Sequence, residues 1–258
     1  MAPLDAQLIA LAEEPGLWIP ADPLSEEISG EGYTIVTWAR RASVERIRLS
    51  GDRVEAAIDE VREHARSLGV DETTWWVGEL TTPADLGETL EARGFAPDPD
   101  FPGLTSLVLS APPAGAQTAE VRRIATFDDY LCGIELDWEV WNLPADVRDE
   151  RRASAAEHWE LLVADGTATH YLALQGGEPA GFGRMVMTPF GGLMLGGVVL
   201  PGARGQGLYT ALVHARWQDA VAKGVPRLVV SAGPMSAPIL ERLGFERIGS
   251  VRLLRDRL

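Results

Sequence analysis

Cysteine is almost missing from this chain. Cys132 is the single one in 258 residues, so an internal disulfide is excluded and a cytoplasmic protein is the simplest expectation. Long apolar runs are missing too. None reaches the ~20 residues of a membrane span, and Met-Ala-Pro-Leu-Asp-Ala is not a basic leader followed by an apolar stretch. No membrane partner is expected. Positive charge is scarce: 23 Lys plus Arg face 38 Asp plus Glu, a net −15. The deficit is lopsided. Residues 1–117 hold 8 Arg and no Lys against 21 acids, a net of −13, whereas residues 118–258 hold 15 bases against 17 acids, a net of −2. Nucleic-acid binding relies on neutralising phosphate with Lys and Arg, so this balance disfavours it. It also places any anionic ligand with the second half. The acidic first half either draws in a cationic amine or is a solvated surface that keeps the protein soluble. Length, with 46% hydrophobic and 24% charged residues, fits one large or two ordinary globular domains.

What is present centres on Val198-Val-Leu-Pro-Gly-Ala-Arg-Gly-Gln-Gly-Leu-Tyr209. A short apolar run ends at Pro201, three glycines follow, and an apolar helical pattern starts at Leu208, Ala211, Leu212 and Ala215. The order is strand, tight loop, helix N-terminus. First-turn amides lack intrahelical partners, and the helix dipole adds partial positive charge there. Glycines let an anion approach the backbone, so the loop is suited to phosphate, with Arg204 as a permanent cation. A close helix-to-sheet packing turn has the same appearance. Gly-x-Gly-x-x-Gly fails because position 210 is Thr, and the nucleotide P-loop fails because no Gly-Lys-Ser/Thr follows.

The remaining chain reads as two copies of one plan. In the first, 33–50 is extended, and Val54, Ala57, Ile58, Val61, Ala65 and Leu68 form a helical stripe with Asp52 as N-cap and Gly69 as stop. A strand at 73–77, a helix over 85–93 and Gly94-Phe95 follow, then a closing strand at 104–109. Ala111-Pro-Pro-Ala-Gly-Ala-Gln117 is the linker, which sets the boundary between domains 1–117 and 118–258. In the second, strand 120–124 precedes a Thr126-capped helix, a helix over 145–163, strands 169–174 and 180–187 joined by Gln175-Gly-Gly-Glu178, and strand 191–199. After the loop and its helix come Gly224, strand 227–231 and Leu240-Glu-Arg-Leu-Gly-Phe245. Leu90-Glu-Ala-Arg-Gly-Phe95 is its counterpart in the first half, but there Leu49-Ser-Gly-Asp-Arg53 replaces the glycine loop, and Asp52 would repel phosphate.

The series Val-rich strand, Pro, Arg-Gly-x-Gly, helix, strand and Leu-Gly-Phe resembles the GNAT family, the GCN5-related N-acetyltransferases. The resemblance spans about 118–258 and is specific over 198–245. It implies an α/β (α+β) fold with a mixed, mostly antiparallel sheet flanked by helices, in two tandem domains of which the first is degenerate. It implies acetyl-CoA as co-substrate and transfer to a small-molecule amine, or to a basic peptide, by a monomer or homodimer without a metal. Val198 and Val199 would align the pantetheine arm, and the Val199 amide would stabilise the oxyanion. Arg204, Gly205, Gln206, Gly207, Leu208 and Tyr209 would wrap the pyrophosphate, with the sheet splayed between 191–200 and 227–232.

The sequence departs from the family at three places. Tyr209 stands where Gly or Ala is usual, so its phenol either points away from the phosphate or binds it through the hydroxyl. Leu240 stands where a Tyr often protonates the leaving thiolate, and Gly233 where Asn is common. Ser236, nearby, either bonds the cofactor or caps a helix. The strand 191–199 has no carboxylate to act as base. Glu139 and His170 are the candidates, with Asp137 and Glu157 on the same helices, beside readings as surface charges and a packed histidine. Trp138, Trp141 and Trp159 wall an acceptor site or belong to the core. Three alternatives stand beside a small-amine acetyltransferase: a non-catalytic acyl-CoA-binding module, a tandem enzyme resembling mycothiol synthases, and a peptide acetyltransferase.

Overall fold

The computed structural model describes residues 4–20, 22–38 and 41–258. The first half runs α1 (Leu4–Glu13), β1 (Glu27–Gly30), β2 (Tyr33–Trp38), β3 (Arg41–Glu45), α2 (Val54–Ser67), β4 (Glu72–Val77), α3 (Leu86–Ala92), β5 (Ala96–Pro97) and β6 (Gly103–Leu109). The second runs β7 (Glu120–Arg123), α4 (Phe127–Val140), α5 (Ala145–Asp165), β8 (Ala168–Gln175), β9 (Glu178–Met187), β10 (Gly192–Val199), α6 (Leu208–Ala222), β11 (Leu228–Ala232), α7 (Ala237–Arg242) and β12 (Glu246–Arg257). No described helix is long and apolar enough to cross a membrane.

Local chemistry accounts for most boundaries. The stripe Val54, Ala57, Ile58, Val61 and Ala65 of α2 is buried, and Gly69 (φ +67°) ends the helix as Val70 N–H reaches back to Ala65 O. Thr126 caps α4 by accepting from Asp129 N–H at 3.2 Å. Asp52 does not cap α2. It lies in a single 3-10 turn, Gly51–Arg53, and α2 starts after that turn with no side-chain cap.

All strands join one sheet in the order β1-β2-β3-β4-β12-β6-β11-β10-β9-β8-β7, with β5 on β12. Pairing is antiparallel except β3 with β4 and β10 with β11. The halves exchange their last strands. β6, from the first half, lies between β11 and β12. β12, from the second half, pairs with β4 of the first. One sheet face of the second half is covered by α6 and α7, packed through Leu208, Leu212, Leu228, Val230 and Leu240. The other face carries α4 and α5 over Leu172, Phe182 and Val198, and α1 over Leu193 and Val229.

α1 also closes the first half. β3 and β4 stay paired only from Arg41↔Glu72 to Val44↔Trp75, and the strands then part. The end of α1 and the segment that follows it enter this opening. Glu13 accepts from Glu79 N–H (2.7 Å) and Leu80 N–H (3.1 Å), just past β4. Glu45, at the end of β3, accepts from Gly16 N–H at 2.9 Å. The first half therefore lacks a glycine loop and has its strand opening filled by its own chain.

Candidate active site

Among the described residues, no other segment fills the corresponding opening in the second half. β10 and β11 pair only at Gly192↔Leu228 and Leu193↔Val229, so the sheet splays between the two segments for which the GNAT resemblance implies it. A bulge lies between Leu195 and Gly197, and Gly196 takes φ +54°, a conformation glycine adopts without a Cβ clash. The extra residue switches the strand's parity. Before the bulge, Gly192 N–H bonds Arg227 O on the β11 side. After it, Leu200 N–H bonds Ala180 O on the β9 side. Antiparallel partners alternate between bonded and non-bonded pairs. Val199↔Gly181 and Gly197↔Gly183 are therefore non-bonded pairs, and both amides face the splay. Without the inserted residue, Val199 N–H would be used in the ladder.

The loop continues this row of amides. Gly205 (φ +75°) and Gly207 (φ +81°) are both left-handed, and Gly207 opens α6. The backbone amides of Gly205, Gln206, Gly207 and Leu208 donate to no partner among the described residues. Space at Gly207 is tight: a Cβ there would lie 2.5 Å from Thr118 Oγ1. Arg204 is exposed, donates its Nε–H to Val199 O at 3.3 Å, and has no carboxylate partner among the described residues. Gln175 Nε2 donates to Gln206 Oε1 at 2.6 Å, tying the loop to the end of β8.

Tyr209 turns away from the loop. Its ring lies against Gly197, where a Cβ would come within 2.9 Å of it, and its hydroxyl is on the Ser236 side. Burial raises its pKa, so the phenol keeps its proton. Ser236 also donates to Gly233 O at 3.2 Å, and it makes no side-chain cap for α7. Leu240 is fully buried. Behind the bulge stands Arg216, at 0% exposure, donating from Nη2 to Gly196 O at 2.8 Å while its Nε and Nη1 have no partner. A buried guanidinium this poorly satisfied costs stability. Its one bond holds the bulge carbonyl.

On the opposite sheet face, between α4, α5 and β9, is a cavity of about 220 Å³. Its wall includes Tyr130, Asp137, Arg151, His158, Phe182 and Arg184. Arg184 links it to the bulge, with its guanidinium 3.4–3.5 Å from the position of a Cβ on Gly196. Tyr130 Oη and His158 Nδ1 are 3.1 Å apart, and His158 Nε2 is buried without a partner. Burial lowers the pKa of His158, so the ring is neutral at pH 7. Burial raises that of Asp137, against the Arg184 charge and a bond from Trp141 Nε1 at 3.1 Å.

The two side chains proposed from sequence as bases lie elsewhere. Glu139 is exposed on α4 and does not line the cavity. His170 is packed between Phe182, stacked at 5.9 Å, and Tyr130, edge-on at 5.4 Å, outside the cavity wall. Burial, with Arg184 beside it, lowers its pKa to about 3, so it takes up no proton near neutrality. Of the tryptophans, Trp138 borders the cavity, Trp159 packs on Tyr130 at 5.2 Å, and Trp141 meets Phe101. The sequence reading omits His158, Arg151 and Arg184. Their signal was positional: Arg151 and His158 share the α5 face of buried Ala155 and Leu162, and Arg184 alternates with Phe182.

Comparison with known proteins agrees with this geometry. Residues 134–245 match the model of the acetyltransferase (GNAT) family. A tandem GNAT protein from the clavulanic acid biosynthesis pathway, solved without AcCoA, is 19% identical at a TM-score of 0.63, covering 98% of this chain and 94% of that one. A GCN5-related N-acetyltransferase from Sphaerobacter thermophilus is 16% identical at 0.61, covering 99% and 92%. One from Kribbella flavida is 15% identical at 0.62, covering 99% and 96%. At such identities the likeness is one of fold. None of the curated proteins compared with the chain matches it. Residues 134–245 are thus an acetyltransferase domain of the GNAT family, in a chain whose whole length has the fold of tandem GNAT proteins.

Proposed function

We propose that this chain binds acetyl-CoA as co-substrate along the splay and glycine loop of its second half, and transfers the acetyl group to the primary amine of a small molecule held in the α4–α5 cavity. The observation that carries this reading is the parity switch at Gly196. It turns the Gly197 and Val199 amides into a gap that runs on to the bare amides of residues 205–208. Val198 and Val199 align the pantetheine arm, and Arg204, Gly205, Gln206, Gly207 and Leu208 take the pyrophosphate. Tyr209 and Ser236 border the thioester end instead.

The chemistry needs few groups. The neutral amine attacks the thioester carbonyl, and Val199 N–H donates to the oxyanion, worth about 3–4 kcal/mol for one fixed donor. The C–S bond then breaks. The proton lost by nitrogen passes to neutral His158, directly or through water, and the Tyr209 hydroxyl supplies one to the thiolate. Tyr209 thereby takes the place left by Leu240. Full burial of Leu240 favours one rival, an acyl-CoA-binding module without turnover; it predicts cofactor binding with no free thiol released by any amine.

Calorimetry with acetyl-CoA tests the binding step. Arg204→Ala removes a charge-assisted contact and raises Kd about tenfold. Gly207→Glu combines a strained φ of +81°, the Thr118 contact and a repelling charge, and abolishes binding. Wild-type protein that gives no heat, or a Gly207→Glu variant that binds normally, rejects the assignment.

A further inference from the structure

The cavity wall holds two guanidinium groups that the protein leaves unpaired. Arg151 comes from α5 and Arg184 from β9, and the Nε of each is buried without a partner. Neither side chain makes an ion pair or hydrogen bond among the described residues. That is unusual in a chain with 38 acids and 23 bases. Several of its other partly buried arginines face carboxylates, Arg62 with Asp256 at 2.7 Å, Arg255 with Asp98 at 2.6 Å and Arg48 with Glu14 at 2.6 Å, while Arg148, Arg227 and buried Arg216 each bond at least one backbone carbonyl. Half-buried guanidinium groups lose hydration and need an anion in return.

The cavity also contains two carboxylates, and neither is in ion-pair contact with these guanidiniums: Asp137 accepts from Trp141 Nε1 at 3.1 Å and feels the two charges only from farther off, and Asp22 accepts from Leu24 N–H at 2.8 Å. Two arginines and two aspartates sum to zero. A zwitterion leaves that balance intact. A phosphate dianion or a diamine does not, and a diamine would face both guanidiniums. We propose that the acetyl acceptor is an amine that also carries a carboxylate, an amino acid in the broad sense, with Arg151 and Arg184 holding the carboxylate. Guanidinium forks suit this group because they donate two parallel bonds to its two oxygens. Ile134, Trp138 and Phe182 supply apolar wall for the remainder of the molecule.

This assignment rests on the acetyl-transfer reading of the same site. It is tested on the full chain by thiol release from acetyl-CoA with matched acceptors: the common amino acids, their amides and their decarboxylated amines. The expected result is a kcat/KM at least about tenfold higher for an acid than for its amide or amine. Arg151→Gln and Arg184→Gln should each raise acceptor KM by at least about tenfold and shrink that preference, while the calorimetric Kd for acetyl-CoA holds. Arg184→Lys keeps the charge but not the fork, and serves if Arg184→Gln does not fold. Equal use of acid and amide overturns the proposal. So does a preference that survives both substitutions, or an enzyme that binds acetyl-CoA and accepts no amino acid. A protein without affinity for acetyl-CoA fails the underlying reading instead. The cavity is then judged alone by ligand-detected NMR with N-acetylleucine and N-acetylleucinamide: binding of the acid only, lost in Arg151→Gln, supports the carboxylate site, and any other pattern overturns it.

Discussion

Glu45 is where the filled opening of the first half can be weighed. It ends β3 at 1% exposure, with Oε1 accepting from Ser43 Oγ (2.8 Å) and Oε2 from Gly16 N–H (2.9 Å). Burial outweighs those two bonds and, with Glu14 and Glu27 nearby, lifts its pKa from 4.5 to about 7. The folded state thus holds a proton that the unfolded chain releases near pH 4.5. Stability falls as pH rises from about 4.5 to about 7 and is constant beyond. About 2.5 pH units at about 1.4 kcal/mol each puts the loss near 3 kcal/mol. Glu45→Gln reproduces the protonated acid: its Oε1 accepts from Gly16 and its Nε2 donates to Ser43 Oγ. The variant should match wild type at pH 4 and exceed it at pH 8 by about 3 kcal/mol, about 6–10 °C in Tm. Circular-dichroism melts from pH 4 to pH 8 read the difference. A Tm gap independent of pH, or a variant less stable at pH 8, would show that Glu45 is ionised in the fold and the reasoning wrong.

Three further outcomes follow from the second half. Val199→Pro removes an amide that faces the splay and breaks no ladder bond, so kcat should fall about 10²–10³-fold while the Kd for acetyl-CoA changes little; an unchanged kcat excludes Val199 as the oxyanion donor. Tyr209→Phe should lower kcat by about 10²-fold and leave Kd within a few-fold, with loss of the basic limb of the pH–rate profile identifying the hydroxyl as the acid. Residues 118–258 expressed alone lack β6, which bares the edges of β11 and β12; the fragment should aggregate and be rescued by co-expressed 1–117. A soluble, well-folded fragment would refute that account.

Much of this was legible beforehand, for local reasons. The helical stripe of α2, the Thr126 cap and the Pro-Gly-x-Arg-Gly-x-Gly turn depend on neighbours in sequence, and each lies where its chemistry puts it. The glycine loop, as a turn between strand and helix, was legible for the same reason. The bulge was not, because Gly196 reads as one more glycine in a Gly-rich strand; only the register with β9 reveals the extra residue. The histidine of the cavity was missed differently. His158 and His170 are equivalent as sequence, but packing closes one off under Phe182 and leaves the Nε2 of the other unpartnered in the cavity wall. Arg216 stands in an apolar row with Leu208, Leu212 and Ala220, and only the fold reveals its bond to Gly196 O.

The strand exchange explains why a half without a phosphate loop is still needed. Once β10 parts from β11 at Leu193↔Val229, the residues Val230, Ser231 and Ala232 keep one ladder partner, β6, through Leu107, Ser106 and Thr105. That strand belongs to the first half. α1 braces the same wall from the opposite face, where Ser231 Oγ donates to Ala12 O at 2.7 Å and Val229 packs on Leu8 and Leu11. One side of the splay is therefore built by residues before 118. The first half has no glycine loop of its own, whereas loss of its last strand would remove the wall that lines the splay of the second half.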